Sequence, residues 1–118
     1  MELRMRGDLA AIAPTVGLAI YRIAQEALAN AARHAPRART VLAVEVSDGH
    51  VSLVAETTGP VLAAPEDERG RTQYGLVGMR ERATALGGEF SAGSTPGGWR
   101  VSCRLPLQSS RDSAGAIT

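Results

Sequence analysis

The segment I-Y-R-I-A-Q-E-A-L-A-N-A-A-R-H-A, residues 20–35, tells more about this chain than any other stretch. Its apolar side chains recur at helical intervals, which predicts an amphipathic helix that begins near Pro14. Glu26, Asn30 and His34 are spaced four residues apart, so they are expected on one stripe of that helix. The stripe expected opposite to them is apolar and consists of Val16, Ile20, Ile23, Ala27 and Ala31.

A carboxylate, a carboxamide and an imidazole in line on a packed helix suit a magnesium ion and a polyphosphate. Magnesium prefers oxygen ligands and keeps several of its waters, so one or two protein side chains are enough to hold it. The alternative is a solvated helix face on which Arg22 and Glu26 form an ion pair. These residues alone leave both interpretations open.

The length and composition indicate one globular domain. A chain of 118 residues can bury roughly two-thirds of its unfolded surface, which is enough for its own core. No apolar stretch approaches the length of a membrane span, and no signal peptide pattern opens the chain. A cytoplasmic location without direct membrane contact is therefore expected.

Several kinds of chemistry are excluded by residue usage. All 13 basic residues are Arg, so lysine Schiff-base chemistry and a P-loop lysine are absent. A net charge of +1 with one Trp, one Phe and two Tyr argues against a nucleic-acid surface. The single Cys103 can form neither an internal disulfide nor a multi-cysteine metal site, and its apolar neighbours predict a core position.

The remaining patterns predict strands, a loop and a second helix. Residues 2–6 alternate like a short edge strand, and residues 39–47 and 50–57 like two strands joined by an Asp48-Gly49 hairpin turn. Alternation places Thr57 on the buried face and Glu56 on the outer face. Residues 59–74 show no periodicity and are expected to form a mobile loop over the ligand site.

The C-terminal part of the chain is expected to return to the sheet. A helix over about 76–86 ends at Gly87-Gly88, and two further strands follow. The predicted segments are a strand over 89–92, a turn over 93–98, a strand over 99–107 and a flexible tail over 108–118. The fold class is therefore α/β: a two-layer sandwich of one mixed, mostly antiparallel sheet with the main helices on one face, in a single domain over residues 1–107.

Residues 20–35 resemble the N-box of sensor histidine kinases in the GHKL ATPase superfamily. The most similar type is the short-lid subfamily that partners helix-turn-helix response regulators, in which the pattern is L/I-Y-R-I-x-Q-E-A-L-x-N-A-x-x-H-A. A second segment, G-L-V-G-M-R-E-R at residues 75–82, resembles the G2 box of the same subfamily. Its glycines let the backbone approach a ligand, and a helix start after them would offer free amides to phosphate. The resemblance covers roughly residues 3–107.

The resemblance implies a Bergerat ATP-binding fold that uses ATP and Mg²⁺, and it implies roles for individual residues. Asn30 would bind the metal, and Glu26 would hold a metal-bound water and act in catalysis. Arg33 and His34 would lie near the phosphates. Gly75 and Gly78 would shape the lid hinge and phosphate cradle, and Leu76 and Met79 of the same box are implied to bind the nucleotide.

The strand that faces adenine departs from the family pattern. The family places an Asp or Asn before a glycine turn, where it binds the exocyclic amine of adenine. Gly59 fits the turn, but Thr57 stands at the position of the acid. Trp99 also stands where family members commonly carry a small hydroxyl residue.

The function implied is the catalytic domain of a two-component histidine kinase. It would donate the γ-phosphoryl group of ATP to a histidine on a separate dimerisation domain, and a response regulator would follow. Neither His34 nor His50 fits the acceptor role, so the acceptor is expected on the separate dimerisation domain. Without the dimer interface of that domain, a monomer or weak dimer is expected here, and a full-length kinase would reach any membrane through other segments. Two alternatives remain open: a degenerate docking or regulatory module of the same fold, and an anti-sigma-type serine kinase.

Overall fold

The computed structural model describes residues 1–60 and 66–108, and for residues 66–69 only the backbone. Its elements in chain order are β1 (Glu2–Arg6), a short 3-10 turn (Leu9–Ala11), α1 (Pro14–His34), β2 (Arg39–Ser47), β3 (His50–Thr58), α2 (Glu66–Ala85), β4 (Glu89–Thr95) and β5 (Gly98–Pro106). The five strands form one sheet in the order β1-β2-β3-β5-β4, with β1 parallel to β2 and the other pairs antiparallel. Both helices share one core cluster with the inner face of the sheet, which confirms the predicted fold class.

Helix α1 begins at Pro14, whose missing N–H costs nothing in the first turn. It ends at His34, and Ala35 closes it by donating its N–H to the Ala31 carbonyl. The prediction of two opposite stripes was wrong in one respect. Asn30 is only 5% exposed and lies on the same buried face as Ile23 and Ala27, because its spacing of seven from Ile23 equals two helical turns.

The β2–β3 hairpin turns at Asp48 and Gly49, as predicted. Their φ angles of 54° and 77° are both left-handed, as a two-residue hairpin loop that matches the strand twist requires. This turn fixes the register, in which Val44 faces Leu53 and Thr40 faces Thr57. Thr57 therefore lies on the inner, helix-covered side of the sheet.

The start of α2 differs from the prediction. Residues 66–74, which we expected in a loop, are helical, and the helix begins ten residues before the expected start at 76. Charged and polar residues such as Glu, Arg and Gln favour a helix intrinsically, but without apolar periodicity they give no amphipathic signal. Residues 61–65, the rest of the expected loop, lie outside the described residues.

The C-terminus of α2 agrees with the prediction. Gly87 has a φ of 79°, and its N–H and that of Gly88 donate to the carbonyls of Thr84 and Ala83. These two bonds form a Schellman motif, which needs a residue in the left-handed region at this position. The chain then turns directly into β4.

The β4–β5 hairpin is tighter than the predicted turn over 93–98. Thr95 pairs with Gly98, which leaves Pro96 and Gly97 as a two-residue loop. Cys103 is buried on β5, as expected, and burial raises the pKa of its thiol to about 12. The expected tail after Gln108 lies outside the described residues. Within the described part, neither helix is long and apolar enough to cross a membrane.

Gly98 gives a test of the hairpin geometry. A Cβ at this position would overlap with the backbone carbonyl oxygen of Thr57, which the sheet holds in place. We expect Gly98→Ala to lower the free energy of unfolding by about 1–3 kcal/mol, the usual penalty for overpacking. Urea denaturation followed by circular dichroism measures the change.

The matched control is Gly93→Ala on the other strand of the same hairpin, where a Cβ would meet no heavy atom of the described part of the chain within 4 Å. We expect this variant to unfold at the parent's urea concentration. Equal midpoints for both variants would contradict the close approach at Gly98.

Candidate functional site

The polar residues of α1 converge on one guanidinium group. Arg33 donates through Nη2 to the amide oxygen of Asn30, and the same nitrogen lies 3.4 Å from Oε1 of Glu26. Glu26 thus pairs with Arg33 and not with Arg22, the partner in the alternative interpretation. Two side-chain oxygens of different chemistry therefore share a single cation.

Two polar atoms of this cluster lack a hydrogen-bond partner in the described part of the chain. Nδ2 of Asn30 and Nε of Arg33 are buried and have no hydrogen-bond partner among the described residues. A buried donor left unpaired costs about 1–3 kcal/mol, so such atoms are uncommon in folded proteins. The arrangement is stable only because the core holds α1 in place, and it leaves donors free for a bound group.

A cavity of about 210 Å³ opens beside Asn30, between the C-terminal part of α1 and the sheet. Its walls are formed by Asn30, Ala31, His34, Ala35, Thr57, Thr72 and Trp99. Thr57 is 4% exposed and pairs across the sheet with Trp99. Its hydroxyl lies 3.4 Å from the hydroxyl of Thr40, and either oxygen can be the donor of that bond.

Helix α2 closes one side of this cavity. Nε2 of His34 is hydrogen-bonded to the hydroxyl of Thr72, which lies in the helical part that we expected to be a loop. The predicted position of His34 beside the ligand space is thus seen, but its imidazole already has a partner on α2.

A second groove of about 360 Å³ lies where α1 and α2 cross. It is lined by Arg22, Gln25, Glu26, Ala29, Gly75, Gly78, Met79 and Arg82. Gly75 lies directly against the Glu26 carboxylate, so close that a Cβ would overlap with it. Since Arg33 contacts both Glu26 and Asn30, it links this groove to the first cavity.

The predicted phosphate cradle has a different backbone from the one expected. Gly75 and Gly78 lie inside α2 and not before its first turn, so no free helix N-terminus is present at these positions. The expectation failed because the helix extends through residues 66–74. Leu76 and Met79 pack against the core, and Met79 is 2% exposed.

Gly59 lies at the end of β3, apart from both cavities. Its φ of 137° lies in a region that favours glycine, and its N–H donates to the Gly97 carbonyl at 2.9 Å. A Cβ there would also come within 3.0 Å of Ala38. Gly59 therefore shapes the strand end that carries Thr57.

Two residues of the first cavity region were missed by the sequence reasoning. Thr40 was predictable, because the Asp48-Gly49 turn sets the hairpin register and places Thr40 opposite Thr57. Thr72 was not, because its position depends on the helical conformation of residues 66–74, which has no periodic signal.

A family model matches this architecture. Residues 15–109 match the model described as histidine kinase-, DNA gyrase B-, and HSP90-like ATPase, which is most of the chain. The chain belongs to this ATPase family. The match spans α1, α2 and the strands that bound both cavities.

The relatives named in the comparison are sensor histidine kinases. The chain is 35% identical over 115 residues to the signal transduction histidine-protein kinase/phosphatase UhpB of Salmonella typhimurium, which covers 90% of this chain and 22% of UhpB. It is 32% identical over 98 residues to the histidine-protein kinase/phosphatase DegS of Bacillus subtilis, covering 81% of this chain and 26% of DegS. The chain thus spans about a quarter of the length of these relatives.

The solved structures agree at the level of the fold. The blue-light activated histidine kinase EL346 of Erythrobacter litoralis superposes with a TM-score of 0.64 at 24% sequence identity. The alignment covers 93% of this chain and 36% of EL346. The five-stranded mixed sheet with two helices is accordingly the fold of histidine kinase ATP-binding domains in this ATPase family.

The contact between Gly75 and Glu26 predicts different effects for two similar substitutions on α2. Gly78→Ala should raise the free energy of unfolding by up to about 1 kcal/mol, because alanine favours a helix and its Cβ would have no heavy atom of the described residues within 4 Å. Gly75→Ala should raise the free energy of unfolding by much less, because the added Cβ would displace the Glu26 carboxylate. Urea denaturation compares the two.

Removing the carboxylate supplies the control. In a Glu26→Ala background, Gly75→Ala should stabilise as much as Gly78→Ala, since a double-mutant cycle isolates the contact. If both alanines stabilise the parent equally, Gly75 does not pack on Glu26.

Proposed function

We propose that this chain is the Mg-ATP-binding catalytic domain of a two-component histidine kinase. In this proposal it donates the γ-phosphoryl group to a histidine on a separate dimerisation domain. The observation that carries it is the convergence of the Asn30 amide oxygen and the Glu26 carboxylate on one cation, beside a buried cavity lined by Thr57. Membership of the ATPase family supports the choice of nucleotide.

The residues of the cluster fit magnesium. Both atoms that face the Arg33 guanidinium are oxygens, the donor type that magnesium prefers. Among the described side chains, those of residues 1–60 and 70–108, no group of three or more His, Cys, Asp and Glu lies together as an all-protein metal site would require. One amide oxygen as direct ligand, with a carboxylate that holds a metal-bound water, would suit an ion that takes its other ligands from water and phosphate. When bound, the metal would neutralise charge on the phosphates during transfer.

Arg33 occupies the position that the metal would need. Its guanidinium must release Asn30 and Glu26 before a metal can approach them, because both cations would use the same oxygens. Once released, a guanidinium can bind phosphate oxygens with two parallel hydrogen bonds. Arg33 would thus exchange one carboxylate oxygen and one neutral amide oxygen for phosphate oxygens.

Glu26 would orient water near the phosphates, and His34 would contact the phosphate chain after leaving Thr72. The acceptor of the phosphoryl group is not one of the two histidines. His34 is engaged within the site, and His50 is bonded to the Asp48 carbonyl in the β2–β3 hairpin. The proposal therefore needs an acceptor histidine on another domain, and a response regulator as the next partner.

The size of the cavity supports the second candidate function, a docking or regulatory module of the same fold. Small-molecule pockets usually measure about 300–1,000 Å³, whereas this cavity measures about 210 Å³ with Trp99 as one wall. A base ring without its sugar and phosphates needs less room than a whole ligand, so the kinase proposal remains the stronger of the two.

Asn30 gives the direct test of metal binding. We expect Asn30→Ala to abolish magnesium-dependent ATP binding in isothermal titration calorimetry, because it removes the neutral oxygen of the pair. The fold should remain, since among the described residues the amide makes one hydrogen bond, which its oxygen accepts from Arg33, and the substitution also removes the unpaired Nδ2. Circular dichroism and a urea titration monitor the fold.

The same titrations in EDTA are the control, because they separate metal-dependent from metal-independent affinity. Parent and variant should bind ATP equally weakly there. A variant that binds Mg-ATP as tightly as the parent would remove Asn30 from the site.

Glu26 tests the chemistry in a full-length kinase that contains the acceptor domain. Glu26→Gln keeps the shape and removes the charge, so we expect autophosphorylation to fall by about 10²–10⁴, the usual contribution of a positioned acid or base. Nucleotide affinity should change little. Phosphate transfer is followed with radiolabelled ATP, and Kd by calorimetry.

Glu45→Gln on β2 is the matched control, because Glu45 is exposed and lies outside both cavities. Its autophosphorylation should equal that of the parent. Unchanged phosphorylation in Glu26→Gln would exclude Glu26 from the transfer step.

A further inference from the structure

The base end of the cavity has an unusual polar group. Thr57 is buried on the cavity wall, and the hydroxyl of Thr40 is its hydrogen-bond partner in the described structure. A carboxylate at such a position can only accept hydrogen bonds, whereas a hydroxyl can both donate and accept. The chemistry available to a bound ring therefore depends on which way the two threonines are oriented.

The Thr40–Thr57 pair has two equivalent arrangements. When Thr57 donates to Thr40, its oxygen keeps lone pairs that can accept from an amine in the cavity. When Thr40 donates to Thr57, the Thr57 proton is free to point at a carbonyl oxygen. The 3.4 Å separation allows either direction, so neither arrangement leaves a buried hydroxyl without its partner.

The residue beside Thr57 on the sheet wall of the cavity is equally tolerant of different bases. Trp99 pairs with Thr57 across β3 and β5 and lines the same cavity. Stacking of a base on an aromatic ring depends little on which base is present, because every base has a π-face. Of the other lining residues, Ala31 and Ala35 carry no polar side-chain group, and Asn30, His34 and Thr72 belong to the end of the cavity proposed to hold the phosphates.

We propose that this pocket accepts 6-amino and 6-oxo purine nucleoside triphosphates alike, with the reversible Thr40–Thr57 pair as the base-contacting group and Trp99 as the stacking wall. This proposal rests on the proposed nucleotide-binding function and specifies its substrate class. A site that offers one fixed acceptor would reject a 6-oxo purine, because the two facing oxygens would be left unpaired. The threonine pair avoids that penalty by reorienting two protons.

The test compares Mg-ATP with Mg-ITP by calorimetry on the 118-residue chain. Their bases differ only at the 6-position and its neighbouring ring nitrogen. The two Kd values should agree within roughly threefold, because each ligand finds a suitably oriented hydroxyl. Mg-GTP, which adds a 2-amino group, serves as a third ligand.

Substitutions at Thr57 and Trp99 test which groups set the preference between the two bases. Thr57→Asp leaves only acceptors, so ATP should be preferred over ITP by roughly tenfold or more, the worth of a charge-assisted hydrogen bond. Thr57→Val removes the hydroxyl at similar shape, and both nucleotides should weaken by a common factor. Trp99→Ala should weaken both by a common factor of roughly tenfold, as expected for lost stacking.

The outcomes separate this inference from the proposed function. If the parent binds ATP at least roughly tenfold more tightly than ITP, the inference fails and the nucleotide-binding proposal stands. If neither the parent nor any variant binds a nucleotide while circular dichroism shows the fold intact, both fail. If only Thr57→Asp binds, the natural pocket does not take purines, and the docking-module function replaces the kinase.

Discussion

One stripe of α1 determines both the core and the candidate site. Its buried apolar positions are Val16, Ile20, Ile23 and Ala27. Asn30 and His34 continue the same spacing of three and four residues beyond the apolar core, so both line the cavity. An ordinary amphipathic helix would carry apolar residues at these two positions. A rotation of α1 that brought Asn30 into water would also expose Ile23, whose burial is worth roughly 1.5–3 kcal/mol. The packing of the stripe thus keeps a polar amide buried.

The cluster around Arg33 owes its importance to geometry more than to its strength as an ion pair. The Glu26 and Arg33 side chains are 36% and 26% exposed, and an ion pair with that much solvent contributes little stability. What the fold fixes is the direction of two oxygens, one charged and one neutral, toward a single point occupied by a cation. The same direction suits a divalent ion. Among the described residues, one donor each of Asn30 and Arg33 has no hydrogen-bond partner in this arrangement.

The sequence predicted those parts of the fold in which a short local pattern allows only one backbone conformation. The Asp48-Gly49 turn needs two left-handed residues and sets the register that buries Thr57, and Gly87-Gly88 end α2 in a Schellman motif. The Glu26–Arg33 pair could not be predicted, because helical spacing favours partners three or four residues apart, such as Arg22, whereas Arg33 is seven residues away. The motif indicated the chemical role of Asn30. Its burial could not be predicted in the same way, because it depends on how α1 is rotated about its own axis against the core.

The first half of α2 was the largest error, and its composition explains why. Gly70, Gly75 and Gly78 each cost the helix about 1 kcal/mol relative to alanine. The side chains that hold the helix to the core, Met79 and Ala83, lie in its second half. The described side chains of the first half are mostly exposed, and His34 holds it at Thr72. Stability is not uniform along such a helix, and its weakly held end is the first to open. The segment that covers the cavity is therefore also the one whose helical state is least determined by its own sequence.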